Sequence, residues 1–102
     1  MTIPFYKYQG TGNDFIIINS FNTEKIQLDI NQIQLICNRK FGIGSDGLIL
    51  IKRSIEHHFK MEFFNPDGSQ SFCGNGARCA VQFAYSSGII NNNSCDFEAF
   101  DG

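Results

Sequence analysis

The segment Ala77 to Tyr85 constrains this chain more than any other. Ala77, Ala80, Val81 and Ala84 fall on one helical face, and Cys79 and Phe83 widen it until only Arg78 and Gln82 remain as a polar stripe. A helix apolar over most of its circumference has to be buried. Its alanines let neighbouring strands approach closely. Gly88 is a candidate stop, because glycine adopts the left-handed conformation that ends helices. The expected fold is therefore α+β: a mostly antiparallel, barrel-like sheet wrapped around a central α-helix. Hydrophobic residues make up 42 % of the 102, with eleven Phe and no Trp, which suits one domain with a Phe-rich core.

The rest of the chain supplies the wrapping. Phe5 to Tyr8 and Phe15 to Asn19 read as short strands, separated by the loop Gly10-Thr11-Gly12-Asn13-Asp14. Asp29 is a plausible N-cap, and Gln32 three residues later completes a capping box. Ile30, Ile33, Ile36 and Cys37 share one face, so residues 30–39 read as a short amphipathic helix. The glycine-rich run Phe41 to Gly47 ends it. Leu48 to Lys52 is an apolar run of the kind found in buried strands. His58 to Phe63 alternates apolar and polar residues, the period of a half-buried strand. Asn65-Pro66-Asp67-Gly68 has turn chemistry. Cys95 to Phe100 reads as a last strand, and the chain stops directly after it, as though cut mid-fold.

Net charge is −2 with 18 % charged residues, which is no footprint for nucleic acid or an anionic membrane. No run approaches the roughly 18 apolar residues of a membrane span. Met1 to Lys7 lacks a signal-peptide pattern, so the expected location is cytoplasmic. The cysteines Cys37, Cys73, Cys79 and Cys95 are then expected to be reduced. They form no C-x-x-C pair, and His57-His58 stands at no ligand-like spacing to them, so no metal is expected.

Cys73 precedes Gly74-Asn75-Gly76 and opens the buried helix. Free amides and the dipole at a helix N-terminus favour negative charge, and so the thiolate, the form that acts as base or nucleophile. The glycines would let a ligand carboxylate approach the backbone. The alternative is a structural Cys before a glycine-rich turn. Gly10 to Phe15 and Gly42 to Gly47 fail as phosphate loops, lacking the lysine and the following helix. Asn13 can still aim an amide at a polar ligand, and Asn65 is either a turn former or a ligand contact. Cys37 and Cys79 read as core thiols. His57 and His58 read as solvent-facing, and Lys7, Arg39 and Lys40 as solvated charges.

In order along the chain stand Lys7-Tyr8-Gln9-Gly10-Thr11-Gly12-Asn13-Asp14-Phe15, Arg39-Lys40-Phe41-Gly42-Ile43-Gly44-Ser45-Asp46-Gly47, Phe64-Asn65-Pro66-Asp67-Gly68-Ser69 and Cys73-Gly74-Asn75-Gly76-Ala77-Arg78-Cys79. This set closely resembles the diaminopimelate epimerase family, over essentially the whole chain. The resemblance implies the amino-terminal domain, residues 1–102, of a two-domain enzyme whose carboxy-terminal domain is absent. It implies epimerisation of LL- to meso-diaminopimelate, serving lysine and peptidoglycan precursor synthesis, with no cofactor. By resemblance Cys73 is one of two thiols that face each other across the substrate α-carbon. Asn13 and Asn65 would hold the distal end of the substrate, and Gly74 and Asn75 would donate backbone N–H groups to the reacting carboxylate. Gly47 departs from the pattern, standing where a Gln can contact substrate; Pro66 and Phe72 also differ.

The implied partners are the substrate and the second domain, with a homodimer as a further candidate and neither nucleic acid nor membrane. Two rival readings stand. One is a related racemase acting on another amino acid, such as histidine; the wider superfamily that the resemblance implies also includes proline racemase-like enzymes, whose cysteine motif differs from Cys-Gly-Asn-Gly. The other is a non-catalytic module that holds amino-acid-like ligands.

Overall fold

The computed structural model describes residues 4–22, 26–91 and 96–99. The elements are β1 (Tyr6–Gly10), β2 (Asn13–Asn19), α1 (Ile30–Cys37), β3 (Gly47–Lys52), β4 (Phe59–Phe64), β5 (Gln70–Ser71), α2 (Gly74–Ser86) and β6 (Phe97–Glu98). One six-stranded sheet runs in the order β1-β2-β3-β4-β5, and β6 also pairs with β4. The β1–β2, β3–β4 and β4–β5 pairings are antiparallel, while β2–β3 and β4–β6 are parallel. The class and the mostly antiparallel sheet match the sequence expectation; the parallel β2–β3 pair adds to it. A parallel pair needs a crossover of about a dozen residues or more, and residues 20–46, which carry α1, supply it.

β2 and β3 form the middle of the sheet, and this explains their composition. Phe15 to Ile18 and Leu48 to Ile51 are all buried, as in strands covered on both faces. On one face Phe15, Ile17, Ile49, Ile51, Met61 and Phe63 pack against Ala77, Cys79, Ala80, Phe83 and Ala84 of α2. On the other, Ile16, Ile18, Leu48 and Leu50 pack against Ile33 and Cys37 of α1. α2 touches β1, β2, β3 and β4, so the sheet lies around its apolar side, while Arg78, Gln82 and Tyr85 stay exposed.

The helix ends are set locally. Asp29 caps α1 in a complete capping box: the Gln32 N–H donates to Asp29 Oδ1, and the Asp29 N–H donates to Gln32 Oε1, both at 2.8 Å. α1 stops at Cys37 because the following loop folds back onto its last carbonyls, with Gly44 N–H donating to Ile36 O and Ser45 N–H to Cys37 O. Gly42 has to be glycine there, since a Cβ would lie 1.9 Å from Leu35 O. α2 starts at Gly74, three residues before the expected Ala77. It ends in a Schellman motif, with Gly88 at φ +83 and the Gly88 and Ile89 N–H groups reaching Tyr85 O and Ala84 O. Of the last expected strand, Phe97–Glu98 forms β6, whose Phe97 ring stacks on Phe59 at 5.2 Å. Cys95 and Phe100 lie outside the described residues. His57 and His58 are tied down rather than free in solvent. Their Nδ1 atoms lie 2.9 and 2.8 Å from the Asp96 carboxylate, which raises the His57 pKa.

Candidate active site

Cys73 is the N-cap of α2. Its extended backbone (φ −130, ψ 117) turns the chain out of β5, and its Sγ accepts from the Gly76 N–H at 3.4 Å. Its carbonyl accepts from the Ala77 N–H at 2.8 Å. The N–H groups of Gly74 and Asn75 belong to the helix's first turn, where no intrahelical partner exists. Among the described residues nothing else accepts from them. Gly74 is exposed, and a Cβ built on it would meet nothing within 4 Å. Glycine inside a helix costs about 1 kcal/mol relative to alanine, and this turn contains two. The outcome is a half-buried thiol beside two donors that have no partner among the described residues, with open space next to Gly74.

The β1–β2 hairpin brings Asn13 to this turn. Its two-residue loop has Thr11 at φ +41 and Gly12 at φ +89, the conformation of a type I′ turn. A β-branched residue at positive φ is strained, and here it sits next to a candidate ligand contact. Gly10 lets the hairpin press on α2: a Cβ there would lie 3.2 Å from Cys79 Sγ and 3.4 Å from Asn75 O. Asn75 Nδ2 then donates to Asn13 Oδ1 at 2.9 Å, across 62 residues of sequence. Cys73, Gly74, Asn75 and Asn13 therefore form one cluster. Asn65 belongs to a neighbouring group: its Nδ2 donates to Ser69 O, Ser69 Oγ and Ser71 Oγ, so its amide closes the turn between β4 and β5.

Gly47 lies beneath the site, not at its edge. A Cβ there would stand 2.5 Å from the Phe63 ring, which also packs at 3.3 Å from where a Gly76 Cβ would be. The ring thus fills the space between β3 and the first turn of α2, with Phe15 edge-on at 5.8 Å. No side chain longer than hydrogen fits at 47 while Phe63 keeps this position.

Lys7 and Arg39 are exposed, as their reading from sequence has it, but each is ion-paired rather than free. Arg39 forks onto both Asp14 oxygens at 2.7 and 3.2 Å and reaches Asp46 at 3.0 Å; Lys7 meets Asp14 at 2.8 Å and the Gly44 carbonyl. Arg39 and Lys7 together hold the Asp14 carboxyl well below the usual carboxylate range. The partners lie 25 and 7 residues from Asp14, which is why composition hides them. Asp46, Phe63 and Gly10 are the site residues that sequence reasoning passed over. Only Gly10 carried a signal, as a strand glycine of the sort that marks close backbone approach.

Cys37 and Cys79 are buried free thiols, and desolvation pushes both up, with neighbouring Cys73 adding to the effect at Cys79. No group of three His, Cys, Asp or Glu is placed to hold a metal among the described residues. No helix among them is long and apolar enough to cross a membrane.

Residues 5–102 match the family described as Diaminopimelate epimerase. The chain is 50 % identical to the diaminopimelate epimerase of Flavobacterium psychrophilum, in an alignment covering 98 % of this chain and 39 % of that protein. It is 41 % identical to that of Moorella thermoacetica, over 96 % of this chain and 36 % of the relative. It thus spans well under half the length of these curated relatives. Its fold is similar to PhzF-family phenazine biosynthesis proteins of Bacillus anthracis (TM-score 0.69, 19 % identity, covering 96 % of this chain and 33 % of that one). The same holds for Enterococcus faecalis (TM-score 0.74, 13 % identity, covering 100 % and 38 %).

Proposed function

This chain belongs to the diaminopimelate epimerase family, and we propose that it is the amino-terminal domain of a two-domain epimerase that interconverts LL- and meso-diaminopimelate without a cofactor, contributing one half of the active site. The observation that carries the reading is the start of α2: the Cys73 thiol beside the N–H groups of Gly74 and Asn75, which have no partner among the described residues. In this scheme the two N–H groups hold the α-carboxylate of the substrate. They stabilise the negative charge that spreads into it as the α-proton leaves. Cys73 moves that proton on one face of the α-carbon. A second thiol, from the carboxy-terminal domain, acts on the opposite face, one sulfur ionised and the other protonated at the start of each turnover. Closure around the substrate excludes water and strengthens each of these bonds.

Asn13 and Asn65 hold the distal amino-acid end. Asn13 is already drawn to the α2 start by Asn75. Asn65 donates its amide within its own turn, to Ser69 and Ser71, so its contribution requires either its Oδ1 or a rearranged turn. Cys79 cannot be the second thiol, because it is buried on the same helix against Gly10.

The test is hydrogen exchange at the α-carbon by the two-domain enzyme in heavy water. The account predicts solvent deuterium in both LL- and meso-diaminopimelate. Labelling of histidine but not of diaminopimelate would identify a related racemase. Binding of diaminopimelate with no label in any amino acid would identify a non-catalytic module.

A further inference from the structure

The two asparagines at the site are linked to a third side chain that the proposed chemistry does not use. Asp46 leads into β3 and is half-buried. Its Oδ2 accepts from Asn13 Nδ2 at 3.3 Å and from the Asp14 N–H at 3.1 Å, and its Oδ1 accepts from Arg39 at 3.0 Å. The Asp46 N–H in turn donates to Asp14 O at 2.9 Å, so the loop before β3 and the start of β2 are clasped in both directions. Asn13 Oδ1 accepts from Asn75 Nδ2 at 2.9 Å. A continuous chain of hydrogen bonds thus runs from Asp46 through Asn13 to the second residue of α2.

The direction of that chain follows from chemistry. A side-chain amide looks nearly the same with its oxygen and nitrogen exchanged, and only its partners decide which end is which. An ionised carboxylate is an acceptor and nothing else. It therefore forces the Asn13 NH₂ towards β3 and the Asn13 carbonyl oxygen towards α2. Facing that oxygen, Asn75 has to present its own NH₂. What remains is one N–H on each asparagine and the Asn75 carbonyl oxygen, which carry no partner among the described residues. Arg39 donates to the other carboxylate oxygen, so the carboxylate is held in place from both sides.

We propose that Asp46 is a positioning residue: its carboxylate sets the amide orientation of Asn13 and, through it, of Asn75, and so fixes which donors and acceptors the site offers to a polar ligand. The ligand class this suits is an amino acid, whose ammonium needs an acceptor such as the Asn75 oxygen while its carboxylate needs the remaining N–H groups. The identity of the reaction in the second test below rests on the proposed function; the relay itself does not.

Two measurements separate the relay from that reading. In the ¹⁵N-labelled full chain, Asp46→Asn replaces a pure acceptor by a group that both donates and accepts. The side-chain NH₂ resonances of Asn13 and of Asn75 should both move, while the backbone amides of Ala80 to Ala84 stay in place. Movement of Asn13 alone, with Asn75 unchanged, overturns the relay whatever reaction the protein performs. In the two-domain enzyme, Asp46→Asn should raise KM for diaminopimelate roughly tenfold, the scale of one misoriented hydrogen bond. Its kcat should stay within about threefold, since the thiol is untouched. Asp46→Glu, which remains a pure acceptor, should recover part of the KM loss. An Asp46→Asn enzyme with unchanged KM, or one whose only defect is a smaller folded fraction, overturns the positioning role. A wild-type enzyme inactive on diaminopimelate counts against the proposed function and leaves the resonance test standing.

Discussion

The two helices begin in opposite ways. α1 starts on Asp29, whose carboxylate and backbone N–H are both satisfied by Gln32, and the β4–β5 turn packs over its first residue: a Cβ on Gly68 would lie 2.6 Å from the Ile30 side chain. α2 starts on a thiol, follows it with two glycines in three residues, and leaves open space beside Gly74. A carboxylate cap with its capping box stabilises a short helix that has little else. α2 has no such need, because six of its residues are buried, five of them in the larger core. Tertiary packing holds the helix, which frees its first turn for amides and a thiol that contribute little to stability. A helix start that is capped for stability and one that is left open, as the proposed chemistry requires, can therefore be told apart by what fills the first turn.

The contrast breaks most visibly at the caps. In the two-domain enzyme Cys73→Ala should lower turnover about a hundredfold to ten-thousandfold, the range for removing one positioned proton-transfer group. The folded state should survive, and near-native circular dichroism alongside lost α-proton exchange would show both. Normal turnover in the variant would return Cys73 to a structural role. Next in size, Gly47→Ala should destabilise the chain by about 1–3 kcal/mol, the usual cost of overpacking, because its methyl has to displace the Phe63 ring. Urea unfolding measures this, and an unchanged midpoint would mean the ring moves freely. Asp29→Ala should cost about 1 kcal/mol of stability, as losing an N-cap typically does, with turnover per folded molecule unchanged. A turnover defect there would erase the distinction between the two helix starts. The mildest test is chemical: among Cys37, Cys73 and Cys79, iodoacetamide at neutral pH should label Cys73 first, since the other two are buried with their thiols pushed up by desolvation. Earlier labelling of Cys37, followed by peptide mapping, would contradict the open start of α2.

Local features were legible in the sequence and long-range ones were not. The capping box of α1 can be read directly because its parts lie three residues apart. The burial of α2 can be read from its alanines. Its first turn reads as loop, since Gly74 and Gly76 are poor helix formers and only the packed helix behind them recruits them. Strand direction has no sequence period, so the parallel β2–β3 pairing is invisible even though both apolar runs are plain. The two-residue β5 is too short to leave a pattern. At the site, Cys73, Asn13, Gly74 and Asn75 stand out by residue type, but the Asn13–Asn75 bond spans 62 positions. Paired and unpaired charges look alike in a sequence, which is why Lys7, Arg39 and Asp46 gave no sign of the network they build around Asp14.

One measurement bears most directly on the claim that α2 offers a single thiol of a pair. The purified chain alone is incubated in heavy water with LL- or meso-diaminopimelate, and deuterium at the α-carbon is followed over time. Cys79 is buried on the same helix as Cys73 and cannot reach the opposite face of a substrate. The account therefore predicts no sustained uptake from either isomer, and uptake once a domain carrying a second thiol is supplied. Sustained uptake by the chain alone that disappears in Cys73→Ala would contradict it, and would mean that a second base lies within these residues or that two copies pair their Cys73 thiols.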